Sequence, residues 1–514
     1  MRIGSRPLRI LHTLPVVVAL AVAISIGTRL LWINNPGFFM WEMSGISYDM
    51  SFENLCSERL LAGLDGPTDN AAEQRYSSAL YMVPTKLLYN VYDPYTVHRS
   101  VALSLYALFC LLSAFCVYAW WHSLPLAVLF VSYLTTHPLV VSNLFQHKLV
   151  VASLVWCALS VLFITMLERV RVQKVSETPP RELRIYWLLA LTPFMIILGY
   201  ESYAGTRVLA VGWWLLLFMY SLTRGTRSIF LYLCSTGLSG LLLKMLHPLM
   251  EFNLGVFSGR GEGPFERSSG KPQGQIWTWF LDRISESAQY ISWPRAIIDF
   301  DSEHIGSHLD QAIALAVLAC IAAFSCLSSA RFRATVWRAR WAFFLLGSLL
   351  IGSFLIPLFS NTGIRAHRQF GIYVYLTALI YLFAVLIAQE FRLLSRLINV
   401  LAVVACFYIL PPRIQALSTI WEHQVYLREK AVFLRLSEHA VDLKRANIQI
   451  PNILICETDS IQLGHTHWTS ILYSSRLPCV IGAQNLKMGC SVDGMNGAIL
   501  KITRSDAEVH LERL

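Results

Sequence analysis

Leu149-Val-Val-Ala-Ser-Leu-Val-Trp-Cys-Ala-Leu-Ser-Val-Leu-Phe-Ile-Thr-Met-Leu167 carries no charged residue, and Glu168-Arg169-Val-Arg171-Val-Gln-Lys174 follows it at once. As a helix this run is long enough to cross the roughly 30 Å hydrocarbon layer of a bilayer. Its apolar residues cover every side, without the single stripe that marks a helix resting on a water-soluble core. The basic residues after it belong at headgroup depth. The decisive reading is therefore a membrane span with a charged exit.

Working outward, similar runs recur near Leu14–Ile33, Val101–Trp121, Leu124–Val141, Ile185–Tyr200, Val208–Leu222, Ile229–Met250, Ala312–Ala330, Trp341–Phe359, Gly371–Gln389 and Leu397–Leu410. With Leu149–Leu167 they make about eleven spans by the length criterion. The first run lacks a small-residue cleavage site and reads as a retained helix rather than a signal peptide. Of 514 residues, 55% are hydrophobic and 14% charged. A soluble domain carries about a quarter charged residues, so lipid is the solvent that suits this composition.

The net charge of +10 raises the question of where the basic residues sit. Arg2, Arg6 and Arg9 precede the first run. Arg169, Arg171, Lys174, Arg181 and Arg184 fall in a later connection, then Arg224 and Arg227, then Arg331, Arg333, Arg338 and Arg340, then Arg392 and Arg396. Counting crossings puts all of these on one side, which the bias of Lys and Arg toward short inner loops identifies as the cytoplasm. The positive balance is thus a topology signal, and no nucleic-acid partner is expected from it.

The opposite side receives three long segments. Residues 34–99 hold an amphipathic stretch, Ser77–Tyr92, that reads as a helix lying on the membrane surface. Residues 251–310 combine a Gly/Ser/Pro-rich piece with Trp277, Trp279, Tyr290 and Trp293, residue types that favour the headgroup level. The tail, 411–514, begins with helical periodicity over Ile414–Asn447. It continues with β-type runs at Ile448–Cys456, Cys479–Gly482 and Ala498–Thr503. The expected architecture is an all-α polytopic transmembrane domain, 1–410, followed by a small extracytoplasmic α/β domain. Of the eleven cysteines, Cys56, Cys456, Cys479 and Cys490 fall on the outer side. There oxidation is possible, and Cys479 and Cys490 bracket a turn-rich stretch that either pairs them or leaves two thiols.

No P-loop, GxSxG or HExxH is present. Gly259-Arg260-Gly-Glu-Gly263 lies in an outer loop rather than after a strand, which excludes a dinucleotide site. What the outer side does collect is polar groups just beyond helix ends. Glu42 and Asp49 follow the first span, and Lys86 lies on the interfacial stretch. His137, His147 and Lys148 flank one turn; Tyr200-Glu-Ser-Tyr203-Ala-Gly-Thr-Arg207 makes another. Lys244 and His247 lie near the outer end of the seventh span, and Arg365-Ala-His367-Arg368 leads into the tenth. Cationic side chains hold a phosphate, and a carboxylate accepts a proton from an attacking hydroxyl. A lipid-linked phosphosugar would call for that combination.

At this point the chain resembles a family. A single span is followed by a long outer loop with an early acid, then an interfacial helix ending in Asp93-Pro-Tyr95, then His98-Arg99 opening a transmembrane helix. This order is similar to the GT-C class of membrane glycosyltransferases, in particular the dolichyl-phosphate-mannose protein mannosyltransferase and aminoarabinose transferase branch. Tyr200–Arg207 resembles the aromatic turn of bacterial relatives, and Arg365-Ala-His-Arg368-Gln-Phe-Gly-Ile-Tyr373 resembles the arginine-bearing entry to a late helix. The likeness covers roughly residues 1–410 as order and topology.

The resemblance implies transfer of a sugar from a polyprenyl-phosphate carrier to a glycan, lipid or protein acceptor at the non-cytoplasmic face of a bacterial inner membrane. It implies Glu42 or Asp49 as the base. By their outer-side placement Lys86, Arg99, Arg207, Lys244, His247, Arg260, Arg365 and Arg368 are the candidate substrate or phosphate contacts, with ordinary anionic lipid the alternative for Lys86 and simple helix capping for Arg99. One departure stands out. The family places an Asp-Glu pair in the first outer loop, where this chain has Trp41-Glu42. That leaves Glu42 as base, Asp49 as base, or a silent scaffold. No ligand cluster implies a metal and no motif implies a cofactor, although some GT-C branches use a divalent ion. Two rival classes are an O-antigen-type polymerase or ligase and a lipid-substrate flippase or transporter. The second would place ionisable groups at mid-bilayer in repeated halves, and no such repeat is visible.

Overall fold

A computed structural model of the chain describes residues 94–121, 148–172, 204–250, 309–355, 370–390, 452–458, 485–505 and 508–514, with isolated residues and short pieces between them. The expected spans Leu14–Ile33 and Leu124–Val141 and the interfacial stretch Ser77–Tyr92 lie wholly or largely outside these residues. So do much of Ile185–Tyr200 and Leu397–Leu410.

The described helices are α1 (Pro94–Trp121), α2 (Lys148–Val172), α3 (Ala204–Leu222), α4 (Thr226–Met250), α5 (Leu309–Ser328), α6 (Ala330–Arg338), α7 (Arg340–Leu355) and α8 (Phe370–Glu390). Each apolar run that falls within described residues forms a helix. Among the described residues the windows Ser100–Val117 of α1 and Gly371–Ala388 of α8 are long and apolar enough to cross a membrane, and α6 with α7 passes that test only when the bent pair is counted as one span. The core between the helices is filled by large side chains, among them Tyr106, Phe109, Trp156, Trp213, Tyr220, Tyr232, Tyr373 and Tyr375. Phe230, Phe324 and Leu327 are exposed instead. In water such residues would be a liability, whereas hydrocarbon is a favourable surround. Several hydroxyls on these helices are satisfied within their own helix. Thr165, Ser239, Ser353 and Thr377 donate to the carbonyls of Val161, Ser235, Leu349 and Tyr373 at 2.7–2.8 Å. The chain is a helical integral membrane protein.

Side-chain pairings fix the direction of neighbouring helices. Ser153 meets Thr206 and Phe163 meets Trp213, so α2 and α3 run the same way. The α3–α4 hairpin turns at Gly225, whose φ of 96° is the left-handed conformation glycine adopts without a Cβ penalty. Trp214 donates to Thr236, and Phe218 packs on Tyr232 beyond it, so α4 returns antiparallel. Tyr220 touches Trp341 and Leu209 lies beside Gly352, making α7 antiparallel to α3. Phe343 packs on Phe383 and Ser353 on Gly371, so α8 reverses again. One end of this bundle therefore gathers the close of α2, the α3–α4 turn, α6 and the close of α8. The other gathers the starts of α2, α3 and α8 with the ends of α4 and α7.

The connection carrying Arg331, Arg333, Arg338 and Arg340 was expected to be a short loop. It is instead helix α6, bent by 57° from α7. Ser329 caps it, accepting from the Phe332 amide at 3.1 Å, and Phe332 and Ala339 are buried while the arginines face outward. An apolar inner face at helical spacing outweighed the reading of a basic run as plain loop.

The tail holds a four-stranded sheet of order β2-β1-β3-β4, with β1 (Asn452–Glu457), β2 (Asn485–Met488), β3 (Ile499–Ser505) and β4 (Glu508–Arg513). β1 is central and parallel to both β2 and β3, while β4 closes the edge antiparallel. Ile453, Leu454 and Ile455 are fully buried, the continuous apolar run of a strand covered on both faces. The strand expected at Cys479–Gly482 lies outside the described residues, and β4 was not foreseen. Cys490 pairs with Cys456, not with Cys479. The reason is register: Ile455 stands opposite Met488, so the chain leaving β2 passes the end of β1, with Cα atoms 4.5 Å apart.

Arg504 and Glu457 stand opposite each other in the β1–β3 register and form an ion pair of 3.0 Å, with side chains 0% and 5% exposed. Removing one partner leaves a charge in a dry place. Glu457→Gln should therefore cost about 3 kcal/mol or more of local stability. Earlier proteolysis or amide exchange in the tail would register it, and unchanged protection would refute it.

Candidate functional site

The end of the bundle opposite the arginine-rich helix is where the sequence concentrates its candidates. Arg207 is the one candidate whose side chain is described. It lies in the first turn of α3 and is only 7% exposed. Its neighbourhood is held by specific contacts. Thr206 donates to Ser153 of α2 at 2.7 Å, and Trp156 of α2 donates through Nε1 to the Met195 carbonyl at 2.7 Å. Gly199 lies so close to Trp156 that a Cβ there would stand 2.5 Å from the indole nitrogen. Together these contacts tie the segment entering α3 to α2.

A cation in the first turn of a helix faces the positive end of the helix dipole. Burial removes the water that would otherwise screen it. Arg207 is engaged with its surroundings, and a cation so placed is of the kind that favours an anion nearby.

α8 begins at the same end. Its start is fixed by Gly371, where a Cβ would collide with the Ser353 hydroxyl of α7, and by Tyr375, whose hydroxyl is 3.0 Å from Ser160 of α2. Gly371→Ala should cost about 1–3 kcal/mol through overpacking. A lower melting temperature in detergent would show it; an unchanged one would mean that α7 gives way freely.

Of the other candidates, Arg99 lies within the first turns of α1, and Lys244 and His247 lie in the last turns of α4. The antiparallel course of α4 carries that segment back toward the end where α3 begins. Arg365 and Arg368 precede α8 by a few residues in the chain, but they lie outside the described residues, as do Glu42, Asp49, Lys86 and Arg260. Sequence reasoning gave no role to Ser153, Trp156, Gly199, Ser160 or Gly371. Their signal was faint: apart from Trp156 they are small or hydroxyl residues inside apolar runs, which in membrane helices mark close packing. Among the described residues no group of three or more His, Cys, Asp or Glu could hold a metal ion.

No family model matches the chain, and no curated protein matches it significantly. Among solved structures it has a likeness to the crystal structure of ArnT from Cupriavidus metallidurans bound to undecaprenyl phosphate. The identity is 14%, the match covers 95% of this chain and 93% of that chain, and the TM-score is 0.44. A TM-score of that size does not establish a shared fold.

Proposed function

We propose that the protein is a GT-C-type glycosyltransferase that moves a sugar from a polyprenyl-phosphate carrier to an acceptor at the non-cytoplasmic membrane face. The observation that carries this reading is Arg207, a buried guanidinium in the opening turn of a membrane helix. It lies at the bundle end toward which α4 carries Lys244 and at which α8, preceded by Arg365 and Arg368, begins. The sugar leaves its carrier by a single inverting displacement. Glu42 or Asp49 takes the proton of the acceptor hydroxyl, the acceptor oxygen bonds to the anomeric carbon, and the phosphate departs with the electron pair of the broken bond. The basic residues stabilise that departing charge. No nucleotide is required, because the carrier already activates the sugar.

The test uses the purified full chain with a panel of polyprenyl-phosphate sugars and acceptors. Turnover by the wild type, lost in Arg207→Gln and in the paired Glu42→Gln, Asp49→Asn variant, is the expected result. A wild type inert toward every donor while folded would overturn the reading in favour of a scaffold.

A further inference from the structure

The end of the bundle away from Arg207 carries a second basic surface that sugar transfer does not use. On α6, Arg331, Arg333, Trp337 and Arg338 face outward while Phe332, Val336 and Ala339 turn toward the core. Arg340 stacks on Trp337, its guanidinium carbon 4.4 Å from the ring centroid. The helix is held from behind by α8: Ser329 and Arg331 lie 3.4 and 3.8 Å from the Glu390 carboxylate. The Tyr220–Trp341 contact brings the α3–α4 turn to the same end, with Arg224 hydrogen-bonded to the Tyr220 hydroxyl at 2.9 Å and Arg227 exposed. Beside Arg227 is an open groove of about 410 Å³ lined by Thr226, Phe230 and Leu231. No acid occurs across 330–340 or 220–231.

We infer that α6 and the α3–α4 turn form a binding surface for anionic phospholipid, with arginines on the headgroup phosphates and Phe230 and Leu231 against an acyl chain. Three features carry this. The 57° bend turns α6 away from the line of α7, so the helix does not simply continue the span. Trp337, 67% exposed, is the residue type that settles at headgroup depth. Arg331 has Glu390 beside it, whereas Arg333 and Arg338 stand on a segment without acids and complement lipid phosphate, each contributing about fivefold to partition toward an anionic surface. The surface holds and orients the bundle in its leaflet and is independent of whether the protein transfers sugar.

The full chain is reconstituted in nanodiscs of equimolar phosphatidylglycerol and phosphatidylcholine, released, and its retained lipids counted by native mass spectrometry. Phosphatidylglycerol should be retained preferentially. The double variant Arg333→Gln, Arg338→Gln should lower that preference at least about fivefold. Arg333→Lys, Arg338→Lys, which keeps the charge, should retain most of it. Equal melting temperatures of the three proteins in phosphatidylcholine alone exclude misfolding as the cause. A wild type with no preference, or a glutamine variant that keeps it in full, overturns the inference. So does displacement of the retained lipid by millimolar inorganic phosphate, which would mark a small-anion site.

Discussion

Glu42→Gln combined with Asp49→Asn should lower the rate of sugar transfer by about 10²–10⁴-fold while donor binding stays nearly unchanged. The amides keep the size and the hydrogen-bonding capacity of the carboxylates, so folding and acceptor docking are preserved and only proton acceptance is lost. The single variants divide the two assignments. A large loss in Glu42→Gln with little in Asp49→Asn makes the glutamate after Trp41 the base, and the reverse moves that role to the aspartate. Full turnover in the double variant would mean that neither carboxylate removes the proton. The loss should appear in kcat, because deprotonation helps only in the transition state.

Arg207→Gln should reduce kcat by about 10²–10³-fold, the usual effect of removing one fixed donor from a developing negative charge in a dry site. Burial is what makes the effect large. A guanidinium in water would be screened, whereas one at 7% exposure acts on its surroundings at low dielectric. Arg207→Lys keeps the charge but loses the planar fork, and it should recover part of the rate. Since Thr206 and Ser153 still hold the start of α3, the melting temperature should change far less than the rate. A variant equally impaired in stability and in activity would assign Arg207 to packing alone.

The transmembrane helices were legible because an all-round apolar run has few alternatives. Leu149–Leu167 and Gly371–Gln389 needed no partner to be read, and both are helices. The arginine-rich connection misled for the opposite reason. Its charge density reads as loop, and the weaker signal, Phe332 and Val336 four apart behind a serine cap, was overlooked. The partner of Cys490 was hidden because parallel register is set by contacts far apart in sequence. Arg207 was legible as a candidate but not as a buried one, since Thr206–Ser153 and Trp156–Met195 join segments dozens of residues apart. The proton acceptor depends on how outer loops fold over helix ends, and spacing along a chain does not encode that distance.

The covalent tie between Cys456 and Cys490 makes assembly of the tail conditional on chemistry outside the chain. Sulfurs join where an oxidant is at hand, a condition met beyond the inner membrane and seldom in the cytosol. In the proposed orientation, with the tail on the outer side, an inverted molecule would keep two thiols and lose the clamp beside β2, so that completion of the described sheet would record insertion.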